Sequence, residues 1–282
     1  MKRSVWLLVL AVLVGAIAGG VLRWYGKARP APQASAVPAV ASRASPASGP
    51  PPVVASAPAV EPEPLESHQI EMPAAAAPMT PADIAPALAE LVGSKALATF
   101  FHTDDFPRRF VATVDNLGRE HAPPMLWPVK PTPGRFTVDK VDGGSAIGAD
   151  NSLRYTPFVL LVESVDAERA VDLYIRMYPL LQRAYEDLGY PKRYFNDRLI
   201  QVIDKLLGTP DAAYPVKVEL TEVKGPIASD RPWVRYGFAR PEFESLSPGQ
   251  KMLLRVGPVN ERRLKAKLIE IRRQLLKRTK VR

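Results

Sequence analysis

Cysteine is absent from this sequence of 282 residues, and histidine occurs only three times. Without cysteine there are no disulfide bonds, thiol nucleophiles, cysteine-ligated zinc or iron–sulfur sites, and no lipoprotein anchor on an acylated cysteine. The histidines are His68, His102 and His121, and the first of them lies in a proline-rich stretch. Imidazole chemistry therefore has few candidates, and the composition indicates no cofactor.

Charged residues and proline are also absent from residues 5–22, which read VWLLVLAVLVGAIAGGVL. A transmembrane helix needs roughly 17–25 apolar residues, so we predict a single-pass anchor within residues 1–29. A cleaved signal peptide is the alternative, because residues 16–18 (Ala-Ile-Ala) fit the small-residue cleavage pattern. Apolarity continues past that point and a basic, aromatic cluster follows, which favours the anchor. Gly15 and Gly19 have the spacing of a helix-pairing motif, which would allow a homodimer through this helix.

Large apolar side chains are scarce in residues 30–80, where proline, alanine, serine and valine predominate. Such a segment buries too little apolar surface to offset the entropy of ordering, so we predict a disordered linker.

The orientation of the apolar segment at residues 5–22 is not set by the charges on its two sides alone. A very short N-terminal tail before a long domain favours a cytoplasmic N-terminus. We therefore predict an inner-membrane protein whose C-terminal domain lies in the periplasm.

Helical periodicity predominates in residues 81–282, which we predict to form one globular domain. Capping residues and glycine stops predict several helices. Their expected starts are Pro81, Ser94, Asp105, Asn151, Asp166, Phe195, Ser247 and Asn260. We expect Pro157 to begin or kink its helix, and Pro179 to kink the long helix that ends before Gly189.

Strand patterns are few. Residues 123–148 are rich in proline and glycine and are predicted to be loop, apart from a strand at residues 135–138. Residues 216–223 alternate in the manner of a strand, and residues 233–238 are expected to pair with them. Residues 142–145 (Asp-Gly-Gly-Ser) lack the ending of a phosphate-binding loop and are interpreted as a turn. The predicted fold class is mainly α, a multi-helix globular domain with a small antiparallel β element, preceded by one transmembrane helix and a disordered linker.

Several segments of the globular part carry a resemblance to a known bacterial family. They read YPLLQ (178–182), AYEDLGYP (184–191), FNDRL (195–199) and GQK (249–251), followed by a closing helix of arginine, lysine and leucine. In this order they resemble the family catalogued as domain of unknown function 3014, over nearly all of the globular part. The resemblance implies a membrane-anchored envelope protein of uncharacterised role, and it supplies no catalytic residues.

Positive charge is concentrated at the C-terminus. Residues 260–282 hold ten basic and two acidic residues, whereas residues 81–259 hold 22 basic and 23 acidic ones. An apolar stripe with helical spacing runs through the same segment at Leu264, Leu268, Ile271 and Leu275.

Two interpretations of this C-terminal helix remain open. The stripe docks on the domain and leaves a solvated basic face, or that face binds an anionic envelope component, which includes lipid headgroups, an acidic polymer and an acidic protein. The candidate binding residues are Arg272, Arg273, Lys277 and Arg278. Nucleic acid is not expected, because the remainder of the domain is not basic and no recognition motif occurs.

Aromatic and charged side chains concentrate in residues 190–198 (YPKRYFNDR), at the predicted junction of two helices. Tyrosine and arginine often anchor recognition surfaces, but they also border ordinary cores. The junction therefore has either a structural role or a role in binding a ligand or partner. The candidate binding residues are Tyr190, Arg193, Tyr194, Asn196, Asp197 and Arg198.

Candidate chemistry is sparse. His102 is followed by Asp104 and Asp105, which suit either metal ligation with His121 or the cap of the next helix. We favour the cap, since no two ligands have a tight helical spacing, and we predict no metal site and no catalytic residue. A non-enzymatic binding or scaffolding domain is therefore the leading hypothesis. The alternative is an envelope hydrolase or transferase whose carboxylates are assembled by the fold.

Overall fold

A computed structural model describes residues 68–70, 79–221 and 231–281. The predicted transmembrane anchor and most of the predicted linker lie outside these residues. None of the helices formed by the described residues has the length and apolarity needed to cross a membrane.

The described residues form a mainly helical domain with two small antiparallel sheets. The helices are α1 (Pro81–Val92), α2 (Ser94–Phe100), α3 (Phe106–Leu117), α4 (Asn151–Ser164), α5 (Ala167–Asp187), α6 (Phe195–Leu207), α7 (Pro241–Glu244), α8 (Pro248–Arg255) and α9 (Pro258–Lys277). The strands are β1 (His68–Ile70), β2 (Val138–Val141), β3 (Gly144–Ile147), β4 (Lys217–Leu220), β5 (Tyr236–Phe238) and β6 (Thr279–Val281). The mainly α prediction is confirmed for this part of the chain.

Local capping marks the start of α5 and of α8. At the start of α5, the Asp166 carboxylate accepts hydrogen bonds from the backbone N–H groups of Glu168 (2.6 Å) and Arg169 (3.2 Å). At the start of α8, Ser247 and Gln250 form a capping box. These side chains satisfy backbone donors that have no partner inside the helix, so the chain direction changes where the sequence predicts.

The main core is built around α5, which packs against α3 and α9. Helix α9 in turn contacts α4, α5 and α6. Its apolar stripe is at most 3% exposed at each of its four positions, which are Leu264, Leu268, Ile271 and Leu275. The C-terminal helix therefore docks on its own domain, and only its opposite face contacts solvent.

The four-stranded sheet has the order β2-β3-β4-β5 with antiparallel neighbours, and it covers a second, smaller core. The predicted pairing of the strands near residues 216–223 and 233–238 is confirmed as β4 with β5. The other sheet joins the two ends of the described chain, with His68 opposite Val281 and Ile70 opposite Thr279.

Some strand predictions were wrong. Residues 123–148 were predicted to be loop with a strand at 135–138, but they contain the β2–β3 hairpin. Asp142 and Gly143 form its two-residue turn. The two strands contain few apolar residues, so the sequence did not show the alternation of apolar and polar residues that is typical of strands. Residues 68–70 fall in the predicted disordered linker, yet they form β1, because β6 supplies a pairing edge.

Some helix boundaries also differ from the predictions. Asp105 occupies the cap position of α3 with a φ of 49° and makes no capping hydrogen bond through its side chain. Pro157 lies inside α4, which begins at Asn151 as predicted. Asn260 lies inside α9, where its amide donates to the carbonyl oxygens of Ser152 (2.9 Å) and Val256 (3.0 Å), so it joins two helices instead of starting one.

Candidate functional site

A shallow groove of about 590 Å³ lies between α6 and α9. The helices run antiparallel along it, since Lys265 contacts the carbonyl oxygen of Thr209 (2.8 Å) while Arg272, further along α9, contacts Asp204, earlier in α6. We call it the α6–α9 groove, and its lining residues are Asp204, Leu207, Ile269, Arg272, Arg273, Leu276 and Lys277.

The apolar part of the α6–α9 groove is aliphatic and faces solvent. Ile269 is 57% exposed, while Leu207 and Leu276 are partly exposed. Ile269 and Leu276 lie outside the buried stripe of α9 and are seven positions apart, so they share a second face of the helix. That spacing in a basic helix was the sequence signal that could have revealed the groove.

The charge of the groove is positive. Arg272 donates from Nη2 to Asp204 Oδ2 (3.1 Å) and from Nε to the other carboxylate oxygen, and these hydrogen bonds raise the pKa of Arg272. Arg273 and Lys277 are exposed, and neither forms an ion pair within the described part of the chain. Three cations therefore face one carboxylate.

The fourth predicted cation, Arg278, lies elsewhere. Its Nη2 is 3.0 Å from Asp172 and 3.7 Å from Glu168, both on α5. The structure therefore brings together three of the four predicted basic residues, and it uses the fourth to join the end of α9 to α5.

The junction of residues 190–198 holds β1 against α6. Asn196 is fully buried, donates from Nδ2 to the His68 carbonyl oxygen (2.8 Å) and accepts from the Tyr174 hydroxyl (3.2 Å). Burial raises the pKa of Tyr174 well above its ordinary value, so the hydroxyl remains a neutral donor. The Asp197 carboxylate accepts from the His68 backbone N–H (2.6 Å).

A carboxylate on α3 organises the rest of the junction, and the sequence patterns did not single it out. Asp115 accepts from Arg198 Nε (2.8 Å) and lies 2.9 Å from Arg119 Nε. The Tyr190 hydroxyl donates to Asp115 at 3.5 Å, and the Tyr190 ring stacks on Tyr185 with a centroid distance of 4.5 Å. These contacts join α3, α5 and α6.

The remaining two junction residues are exposed. Tyr194 precedes α6 and is 41% exposed. Arg193 is exposed, and its carbonyl oxygen accepts from Gln182 Nε2 (2.9 Å). The side chains of Tyr190, Asn196, Asp197 and Arg198 thus make contacts within the domain, and binding at the junction stays a prediction.

The segment at residues 102–105 places Asp105 at the cap position of α3, but the Asp105 side chain makes no capping hydrogen bond. Asp104 accepts a hydrogen bond from Arg109 Nη2 (2.8 Å), while His102 Nδ1 lies 3.9 Å from the same carboxylate. Partial burial and the nearby Arg109 charge lower the pKa of His102. Among the described residues, no three histidine, aspartate or glutamate side chains are grouped so that they could hold a metal ion.

A family model described as a protein of unknown function (DUF3014) matches residues 106–272. The matched range begins with α3 and ends within α9 at Arg272, so it includes the junction and most of the core. No curated protein and no solved structure matches the chain.

Proposed function

The chain belongs to the DUF3014 family, and from that premise we propose a membrane-anchored envelope protein whose folded domain is a non-enzymatic binding domain. In this proposal residues 5–22 anchor the chain in the inner membrane with the N-terminus in the cytoplasm. The linker then lets the domain reach away from the bilayer in the periplasm. The α6–α9 groove binds an anionic component of the envelope.

Exposed aliphatic surface beside unpaired cations is the observation that carries this proposal. Ile269 leaves most of its side chain in water, and covering it with a partner is favourable. Arg273 and Lys277 add a positive field around it that no carboxylate of the described residues neutralises. A ligand that is both apolar and anionic satisfies both features.

The same groove supports binding better than hydrolysis. Carboxylate-based glycoside hydrolysis uses a pair of carboxyl groups that flank the scissile bond. Asp204, the only carboxylate among the described residues that line the groove, is hydrogen-bonded to Arg272. The groove is thus richer in anion-binding groups than in proton-transferring ones.

Photo-crosslinking in intact cells tests the groove. A photoreactive residue in place of Ile269 in the full-length chain should form an adduct with an envelope component, and the double variant Arg273→Glu/Lys277→Glu should reduce the yield. The same photoreactive residue in place of Leu153, which is 65% exposed on α4, is the matched control. An adduct at residue 269 that is indifferent to both charge reversals would contradict the proposal.

A topology reporter tests the location independently. An alkaline phosphatase fused after residue 282 should be active, because this enzyme needs the oxidising periplasm for its disulfides. Activity of a cytoplasmic reporter at the same position would contradict the proposed orientation.

A further inference from the structure

We propose that the occupant of the α6–α9 groove is an amphipathic α-helix of another protein, with an aliphatic stripe flanked by aspartate or glutamate. This inference rests on the proposed function, since it names the class of the anionic partner. The shape, the apolar spacing and the charge of the groove all fit such a helix.

The shape of the groove suits a third helix. Two antiparallel helices, α6 and α9, form its walls, and a helix packs into such a groove by inserting a ridge of side chains. Ile269 and Leu276 are seven residues apart, which is about 10 Å along the axis at a rise of ~1.5 Å per residue. Aliphatic residues at positions i and i+7 of a partner helix have the same separation.

The cations of the groove indicate that acidic residues flank the aliphatic stripe of the partner helix. Arg273 and Lys277 are four residues apart on α9, so their side chains lie one turn apart on the same side. Carboxylates one turn apart on a partner helix match this spacing. Arg272 is already hydrogen-bonded to Asp204, so Arg273 and Lys277, which pair with no carboxylate in the described part of the chain, carry the recognition.

A bilayer surface fits the same features less well. Apolar residues that enter a membrane project beyond their charged neighbours, so that they reach the acyl region while the cations stay at the headgroups. Here the aliphatic residues line a concave groove together with Arg272, Arg273 and Lys277. A flat anionic surface meets the long cationic side chains first and leaves the groove uncovered.

The test measures the anisotropy of a labelled helical peptide added to the full-length chain in neutral phosphatidylcholine nanodiscs. The peptide carries leucines at helical spacing with glutamates on both flanks, and a second peptide has the same composition in scrambled order. We expect saturable binding of the first peptide only, and weaker binding at high salt.

Matched variants locate the binding. Arg273→Glu/Lys277→Glu should weaken peptide binding about tenfold or more at low salt, because two attractions become repulsions. The control Arg108→Glu/Arg262→Glu makes the same change in net charge at exposed positions outside the groove lining and should leave the affinity within about twofold. Ile269→Ala should weaken binding, whereas Leu153→Ala should not.

Other occupants give distinguishable results. Equal binding of both peptides, or binding that all four variants leave unchanged, overturns the inference. Groove-dependent flotation with phosphatidylglycerol vesicles, without peptide binding, also overturns it but leaves an anion-binding groove intact. Dimerisation that only the groove variants abolish makes a second copy the occupant and overturns the inference as well. Absence of any crosslink at residue 269 would instead remove the proposed function itself.

Discussion

Basic side chains lie near both ends of α6, but they differ in whether they are paired with carboxylates of the described residues. At its N-terminal end, Arg198 and Asp197 find partners on other elements, namely Asp115 and the backbone of His68. At its C-terminal end, the α6–α9 groove contains cations that meet no carboxylate of the described residues. A concentration of arginine, lysine and tyrosine therefore does not identify a recognition surface. What distinguishes such a surface is the hydrogen-bonding capacity that remains after folding.

This contrast has an energetic consequence. Removing one member of a buried ion pair leaves the other charge without compensation and costs several kcal/mol, whereas an exposed ion pair contributes roughly 0–1 kcal/mol. Mutations at the junction should therefore act on stability, and mutations at the groove should act on binding. Each of the following experiments examines one side of that contrast.

The largest effect is expected from removing residues 264–282, a range that includes the α9 residues of the groove lining. Four buried aliphatic side chains are lost, at about 2–3 kcal/mol each, so the loss approaches the whole stability of a domain. Circular dichroism should show no cooperative thermal transition in the truncated chain. A transition at the wild-type temperature would mean that α9 is not part of the core.

The next largest effect on stability is expected from a comparison of two aspartates that each pair with an arginine. The Asp115 and Arg198 side chains are 9% and 18% exposed, whereas those of Asp204 and Arg272 are 45% and 36% exposed. Asp115→Ala should lower the free energy of unfolding by about 3 kcal/mol, and Asp204→Ala by less than about 1 kcal/mol. Urea unfolding followed by tryptophan fluorescence measures both values. Similar losses would remove the distinction between the two regions.

A smaller effect concerns Glu261, on the N-terminal part of α9. Its side chain is buried, and burial raises the pKa of Glu261 although Lys265 lies 2.7 Å away. The folded state therefore binds this proton more tightly than the unfolded state does. The contribution of Glu261 to stability is then fully present below the unfolded pKa and is lost as the pH rises through the folded pKa.

The variant Glu261→Gln isolates this contribution. The free energy of unfolding of the wild type should fall relative to that of Glu261→Gln as the pH rises from about 4 to 7. Denaturant unfolding at a series of pH values measures the difference between the two proteins. A difference that rises with pH would reverse the assigned direction of the shift.

The smallest effect is expected at the groove. Arg273→Ala and Lys277→Ala should each change the free energy of unfolding by less than about 0.5 kcal/mol, because both side chains are exposed and unpaired within the described residues. The same urea titration provides the measurement. A loss above about 1 kcal/mol would show that these cations stabilise the fold, and the groove would then resemble the junction.

Local patterns were sufficient to predict most helices. A cap such as Asp166 and a stop such as Gly189 act on their own backbone neighbours, so the signal and its effect lie within one turn of each other. The β1–β6 pair could not be predicted this way. Its strands have three residues each, and the paired residues lie more than 200 positions apart in the chain.

The candidate site was predicted only on one of its walls. Arg272, Arg273 and Lys277 were selected from the charge of the C-terminal segment, but Asp204 and Leu207 lie on another helix. Arg272 and Asp204 are 68 residues apart, and only the docking of α9 places them together. Periodicity predicts which face of a helix is buried, but it does not predict the neighbour that covers it.

The amino-acid order by itself determined where most helices of the described residues begin, which stripe of α9 turns inward and that the C-terminal segment is basic. These properties depend on residues within a few turns of one another. Only the tertiary structure decided which polar groups are paired. Arg198 pairs with the Asp115 carboxylate, whereas Arg273 and Lys277 pair with no carboxylate of the described residues. Such pairing depends on distances between elements remote in the chain, which no local pattern encodes.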